Sequence, residues 1–410
     1  MATLYLGSCD AGKRPSSRET YLKPYHMDGI LVGKVSFRDD DRTKWRSFRT
    51  VDGNPVLELQ QFLFDAGFMP RNDFNGVFGY VTQAAVRLFQ EYVRTIEHVS
   101  DMVPDGIVGS GTMEHINRWK TNGITSVWGN FKNNPTPEYT RWINLLNKAK
   151  QHYSANPGPI LSELNTLNNT YATLKPQDWD FSPDKIHLIG VRRNQTTSTT
   201  RRNNDDVFFL LINGMVFTFW GSTDPSVNMA QRNDEAFLIE GQHRYRFGWH
   251  KITNESKIYR ALKPENPKGV MILRDWDNDN SLTNNDLKVT DSQGRLKGLQ
   301  VNPGINIHWT GVGSSNFSAG CQVIAGKSYI NHNNDLQDCS SFASTSYGGL
   351  TNSKKQTKGA YNVFTDLVLC YAPPQVTTLY YTLGREESLD LSSEFGSDYA
   401  SKIFAKLQSV

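Results

Sequence analysis

The chain has 410 residues, 38% hydrophobic and 11% aromatic, enough for two or three domains with real cores. Its 44 basic and 41 acidic residues leave a formal charge of +3, a near balance that argues against a dedicated nucleic-acid binder, although the first fifty residues hold ten Lys/Arg against six Asp/Glu. Four scattered cysteines (Cys9, Cys321, Cys339, Cys370) with no C-x-x-C pair exclude a disulfide scaffold and a cysteine zinc site, and leave a Cys339–Cys370 pairing open.

Residues 1–50 are mixed and read as an N-terminal segment with a docking role. Ile30-Leu31-Val32 and Val35-Ser36-Phe37 suggest short strands, and Arg38 to Arg49 a solvated charged stretch. No signal-type apolar region precedes the polar run from Asp10 to Thr20, and no run is long enough for a membrane helix. The expectation is a protein made in the cytoplasm that acts on a target outside it after delivery or lysis.

Residues 51–120 read as a small helical module. Leu59, Phe62, Leu63 and Ala66 share one helix face that Gly67 can end, and Thr82 is placed to cap a second helix burying Ala85, Phe89 and Tyr92 or Val93. Two similar turns precede helices, Asn75-Gly-Val-Phe-Gly79-x-x-Thr82 and Asp105-Gly-Ile-Val-Gly109-x-x-Thr112. With Val56-x-x-Leu59-Gln60-x-x-Leu63 and Ala85-Val86-x-x-Phe89-Gln90, they resemble a peptidoglycan-binding domain of the three-helix type. The resemblance implies bacterial peptidoglycan as a partner. The stretch from Glu91 to Met102 is longer than usual for that family and is expected to reshape the groove in which a muropeptide lies.

Residues 121–178 read as a helical linker. Thr136-Pro137-Glu138 supplies a cap, a proline at the first position and an acid at the positive helix end. Trp142, Leu145, Leu146, Ala149 and Tyr153 form an apolar stripe, Asn156 to Pro159 break it, and Leu161, Leu164 and Leu167 mark a second short helix. From 179 to 384 the period becomes that of strands. Ile186 to Val191 is one, and Val207 to Ile212 and Met215 to Trp220 flank Asn213-Gly214, a strong hairpin signal. Further strands are expected at 236–240, 243–249, 269–274, 304–309, 360–371 and 376–382. In the tail, 385–410, Tyr399, Ile403, Phe404 and Leu407 mark a terminal helix.

One segment combines a nucleophile with a base. Ile305 and Ile307 alternate into His308, a Gly/Ser-rich loop follows, and Ser318-Ala319-Gly320-Cys321 opens onto Val323 and Ile324. A thiol needs a base to ionise at neutral pH and backbone N–H groups to hold the oxyanion, and Gly320 lets the backbone approach a reacting carbonyl. A buried structural cysteine beside an unrelated histidine is the plain alternative. The segment resembles the L,D-transpeptidase catalytic fold, whose signature runs histidine, spacer, Ser/Thr-His-Gly-Cys. His308 matches the first histidine, Ser318 the hydroxyl position, Gly320 the glycine and Cys321 the nucleophile. The resemblance implies thioester formation at Cys321 on a peptidoglycan stem peptide, with His308 moving the proton.

Three departures stand out. Ala319 replaces the second histidine, only thirteen positions separate His308 from Cys321, and Gln322 and Val323 replace the usual following residues. The pattern is nearer a divergent branch, which the segments Ser222-Thr-Asp-Pro225 and Gly241-Gln-His-Arg-Tyr-Arg-Phe-Gly-Trp-His250 also resemble. Trp309, Gln322, His250 and Tyr245 are the residues expected against substrate; an ordinary strand-end histidine is the alternative for His250. His243 and His250 lack an acidic partner at zinc-site spacing, so a zinc amidase fits poorly.

Asp275, Asp277, Asp279 and Asp286 stand at positions 1, 3, 5 and 12 of a calcium loop. Asn280 at the glycine position, and Asp286 where Glu usually binds, count against it. The expectations are a structural calcium, set against a solvated acidic turn, and no cofactor required for catalysis.

The sequence therefore reads as an α+β multidomain chain: a three-helix peptidoglycan-binding module, a helical linker and a mainly β domain of L,D-transpeptidase-like type. The expected activity is cleavage of stem peptides by a cysteine peptidase delivered by a phage or a contractile-injection apparatus. A cross-linking L,D-transpeptidase and a non-catalytic wall-binding particle component stay open, and neither nucleic acid nor membrane is expected as a partner.

Overall fold

The computed structural model describes residues 3–13, 49–69, 74–193, 202–227, 235–250, 259–279, 282–346, 357–372 and 377–410. The strands expected between Ile30 and Phe37, and the charged stretch from Arg38 up to Arg49, lie outside the described residues.

The module begins with β1 (Ser8–Asp10) pairing in parallel with β2 (Arg49–Val51). Three helices follow: α1 (Pro55–Asp65), α2 (Tyr80–Thr95) and α3 (Ser110–Asn122). The start of α1 is capped from a distance, because the Asp10 carboxylate accepts the backbone N–H groups of Val56 and Leu57 at 2.8 and 2.9 Å. An anion is favoured at that positive end.

Thr82 does not cap α2, as the sequence suggested. Gly79 is the cap, and Thr82 sits inside the first turn with its hydroxyl accepting from the Gln60 side-chain amide at 3.0 Å. Gln60 also donates to the Val77 carbonyl and accepts from the Gly76 N–H, both at 3.0 Å. Thirty positions on, Gln90 repeats the pattern with Thr112 and Ile107 at 3.0 Å and Gly106 at 2.8 Å. The two turns are thus one unit used twice, each locked by a buried glutamine that satisfies otherwise stranded backbone groups.

The rest of the chain forms layers around a sheet. Helices α4 (Pro137–Ala155) and α5 (Gly158–Thr166) come first. Strands β3 (Thr173–Leu174), β4 (Ile186–Arg192), β5 (Asp206–Ile212), β6 (Met215–Ser222) and β7 (Ala236–Leu238) follow. Then come β8 (Gly241–His250), β9 (Tyr259–Pro264), β10 (Val270–Arg274), β11 (Gln300–Asn302), β12 (Ile307–Trp309) and β13 (Gln322–Ile324). The C-terminal part holds β14 (Ser328–Ile330), β15 (Leu336–Asp338), α6 (Ala360–Tyr371), β16 (Thr378–Arg385), α7 (Leu391–Phe395) and α8 (Tyr399–Gln408).

Strands run in the order β13-β12-β9-β8-β16-β4-β5-β6, and β6 pairs again with β13, which closes the sheet into a barrel-like ring. A separate three-stranded sheet, β11-β10-β7, stands beside it. Alternation along the strands divides two cores. Leu188, Phe208, Leu210, Phe217 and Phe219 join the core that holds α6 and α2, while Ile189, Val191, Val207, Phe209, Leu211 and Trp220 join the one that holds α4 and α8. The apolar stripe of the helical stretch 121–178 packs against the sheet: Thr136 caps α4 as expected, and Trp142 lies against Phe209 with ring centroids 4.6 Å apart.

Residues 360–371, expected as a strand, are helix α6, and all twelve of its residues are buried. A helix apolar on every face shows no 3.6 period, so composition alone pointed to strand. Helix α2 is likewise buried on nearly all sides, at fourteen of sixteen positions, because it lies between the module core and α6. Across that seam Arg87 binds Asp366 at 2.7 Å, and Arg260 reaches the same carboxylate at 2.9 Å, all nearly without exposure. The extended stretch after Glu91 also docks on the sheet domain: Glu91 accepts from the Tyr329 hydroxyl and pairs with Arg94, and Arg94 donates to the Asp338 carbonyl.

Candidate active site

Cys321 is partly exposed, whereas Cys9, Cys339 and Cys370 are buried, and none of the four forms a disulfide among the described residues. Burial pushes the Cys339 thiol far up, which makes it inert. The Cys321 thiol donates to the Gly304 carbonyl at 3.1 Å and accepts the Asn306 N–H at 3.4 Å. The turn before it needs glycine. Gly320 has φ of +139°, and an added Cβ would stand 2.9 Å from the Ala236 carbonyl oxygen.

The parallel register pairs Ile307 with Gln322 and His308 with Val323. Ile307, Trp309, Gln322 and Ile324 turn inward and are buried; His308 and Cys321, one position out of phase with them, are partly exposed. Strand alternation therefore sets thiol and imidazole on the same face, at diagonal positions of neighbouring strands.

His308 Nδ1 lies 2.9 Å from the Trp309 carbonyl and 3.2 Å from the Tyr259 hydroxyl. A carbonyl only accepts, so the proton sits on Nδ1 and the lone pair on Nε2, the tautomer a general base requires. The His250 ring stacks on His308 with centroids 4.2 Å apart and planes 17° from parallel. The buried Lys358 ammonium lies 5.4 Å from the Tyr259 ring centre and 5.8 Å from that of Trp309.

The Cys321 loop is held from behind by the Ser222–Pro225 segment. Asn316, fully buried, donates to the Ser222 hydroxyl and the Asp224 carbonyl, both at 2.9 Å. Gln322 donates to the Thr223 carbonyl at 3.1 Å and accepts from the Tyr381 hydroxyl at 2.9 Å. Asp224 pairs with buried Arg192 at 2.7 Å, and Asp206 accepts the Thr223 N–H and hydroxyl. Ser318 donates to the Cys321 carbonyl at 2.7 Å, so its hydroxyl braces the turn.

Three residues expected against substrate lie behind the site instead. Tyr245 is fully buried and its hydroxyl supports the Ile305 carbonyl at 3.1 Å. Gln322 is the strut just described, and Trp309 is buried under Tyr259. His250 lies on the His308 ring. His243 is structural: its Nε2 donates to the Ile239 carbonyl, its Nδ1 takes the Thr173 hydroxyl, and burial lowers its pKa to about 4. Tyr259, Asn306, Asn316 and Lys358 escaped the sequence reading. Tyr259 and Lys358 stand about fifty positions from His308, and no local pattern marks them.

The acidic loop gathers at one point. Ligand oxygens of Asp275, Asp277 and Asp286 lie within 4.8 Å of one another. Asp286 also accepts the Trp276 and Thr283 N–H groups at 2.7 and 2.9 Å, so it organises the loop whatever else it binds. Asp279 turns its N–H toward Asp275 and Asp277, and Asn280 lies outside the described residues. This all-carboxylate set suits calcium and not zinc. In the module, a groove of about 670 Å³ opens between α1 and α3, with Phe62 and Trp119 among its lining and Glu58, Asp65 and Lys120 beside them.

Residues 52–116 match the family model of a peptidoglycan binding domain. No curated protein matches the chain. Among solved structures, a fused Zn-dependent amidase/peptidase/peptidoglycan-binding domain-containing protein from Clostridium acetobutylicum ATCC 824 aligns at 13% identity, over 81% of this chain and 96% of its own, with a TM-score of 0.21. A superposition that loose carries no argument about fold or chemistry. The chain thus holds a peptidoglycan-binding domain, fused through a buried seam to a sheet domain that presents a thiol and an imidazole on one face.

Proposed function

We propose that this chain is a peptidoglycan-acting cysteine enzyme in which Cys321 attacks a stem-peptide carbonyl and His308 moves the proton. The observation that supports it most is a partly exposed thiol, with a backbone N–H on its sulfur, sharing a sheet face with an imidazole whose lone pair sits on Nε2. In the first step the S–H proton passes to Nε2 as sulfur bonds to the carbonyl carbon, and backbone N–H groups of the Gly320–Cys321 turn hold the oxyanion. Collapse breaks the C–N bond. The leaving amine takes the proton from His308, and a thioester remains. Water then attacks with His308 as base, the C–S bond breaks, and a carboxylate and the free thiol result.

Water is the acceptor we favour, because the thiol is open to solvent; an amine in its place would give a cross-link and an L,D-transpeptidase. Delivery by a phage or contractile-injection particle belongs to the same proposal and rests on the basic first fifty residues; co-purification with such particles tests it. One observation favours a second reading. Ala319 stands where the resembling family has a histidine, which suits a wall-binding component without activity.

Incubation of purified sacculi with the protein, with Cys321→Ala and with His308→Ala, read by mass spectrometry of released muropeptides, separates the two. Products only from the unaltered protein support the enzyme; identical profiles from all three leave the binding component. Persistence of activity in chelator, with loss on thiol alkylation, distinguishes the cysteine route from a metal amidase. A structural calcium held by Asp275, Asp277 and Asp286 is proposed alongside, and predicts a higher Tm in calcium than in chelator; equal values contradict it.

A further inference from the structure

A second pocket is not lined by the Cys321 turn. It has a volume of about 410 Å³ and opens where α5 meets the first residues of β8 and the last of β16. His250 and Gly241 are the two ends of the ten-residue β8, and neither histidine of the stacked pair lines the pocket. Its size falls at the lower end of small-molecule pockets, about 300–1,000 Å³.

The walls are Tyr153, Trp179, Leu161 and Leu389. Trp179 is fixed by its indole N–H on the Leu174 carbonyl, and the two rings stand 5.7 Å apart. Gly241 turns the chain at this wall with φ of +125°, a backbone conformation that side chains other than glycine's rarely adopt, and its backbone stands beside Trp179 and Leu161. The polar part of the lining includes an ion pair, Glu240 with Arg385 at 2.8 Å, whose side chains remain 30% and 32% exposed. An acid and a guanidinium side by side over apolar walls match a ligand that carries both charges on a short apolar body.

We infer that this pocket binds a small zwitterionic amino-acid or dipeptide unit, its carboxylate on Arg385 and its ammonium on Glu240. Planar bidentate geometry suits the guanidinium to a carboxylate. A neutral sugar would leave the ion pair intact and gain far less. The same unit could come from two sources, a peptide released from the wall or the free end of an attached stem. The inference is independent of the thiol chemistry.

Calorimetric titration of the full chain carrying Cys321→Ala, which cannot turn over its ligand, provides the test. The probes are alanyl-alanine, its N-acetylated form, its C-terminal amide, and a muropeptide whose stem has a free ammonium and carboxylate. We expect saturable binding of the uncapped dipeptide and at least tenfold weaker binding of each capped form. Glu240→Gln should remove the discrimination against the acetylated form, and Arg385→Gln that against the amide, with unfolding transitions unchanged. A muropeptide bound tenfold tighter assigns the ligand to attached stems, and equal binding assigns it to released peptide. Absence of saturable binding for both, or equal binding of capped and uncapped forms, overturns the inference.

Discussion

The wall-binding module and the thiol site are held together on opposite plans. In the module each buried amide closes its network within a short span: Gln60 reaches positions 75 to 82, and Gln90 reaches 105 to 112. Around Cys321 the braces come from Arg192, Asp206, Ser222 to Asp224, Gly304, Asn306, Asn316 and Tyr381. A short-range network is a property of the local sequence, and recurs where the sequence recurs. The surroundings of Cys321 are a property of the fold. The two regions meet at α2, which belongs to the module by sequence and to the sheet domain by burial.

Acid tests both regions at once and should have the largest effect. His243 stands behind the thiol site, and His332 lies at the seam, where it takes the Trp128 indole N–H. Burial lowers both from 6.5 to about 4. Between those values the unfolded chain binds more protons than the folded one, so stability rises with pH there. Each histidine's contribution is complete above about pH 6.5 and is lost as pH falls to about 4, at a cost of about 3 kcal/mol each. Urea midpoints from pH 7 down to 4 should show this loss, and His243→Gln and His332→Gln should each make the slope shallower; a flat profile contradicts the assignment.

Next in size is the seam. Asp366→Ala leaves Arg87 and Arg260 buried and facing each other, and should cost about 3–5 kcal/mol in urea unfolding, with both regions lost in one transition. Separate transitions would show that the module is an independent tether. The packing of α2 also means that deleting residues 51–120 strips α6 of its cover, so the module cannot be removed as a detachable anchor.

The repeat predicts a symmetry. Gln60→Ala and Gln90→Ala each strand several buried backbone groups and should cost about 2–3 kcal/mol apiece, equal within error; a large difference would break the equivalence of the two turns. The smallest effect on stability is at the thiol. Gly320→Ala should cost about 1–2 kcal/mol, from its left-handed φ and the Ala236 carbonyl, yet lower turnover at least tenfold by shifting the sulfur. Unaltered turnover would show that the turn is tolerant.

What could be read from the chain follows the same division. The repeated turns, the Thr136 cap and the Asn213-Gly214 hairpin, with φ of +51° and +77°, are local and came through. Thr82 failed as a cap because Gln60, on another helix, takes its hydroxyl. Helix α6 was hidden because burial on every side erases the period that marks a helix. His250, expected near the His308 motif, does stack on the His308 ring, but a motif does not tell a side chain facing a cleft from one bracing it, and Tyr245, Trp309 and Gln322 are braces.

The most direct measurement is the muropeptide profile of sacculi treated with the unaltered protein beside Cys321→Ala of matched thermal stability. The account predicts new stem-peptide cleavage products from the first and none from the second. Identical profiles, or products that persist without the sulfur, would contradict it.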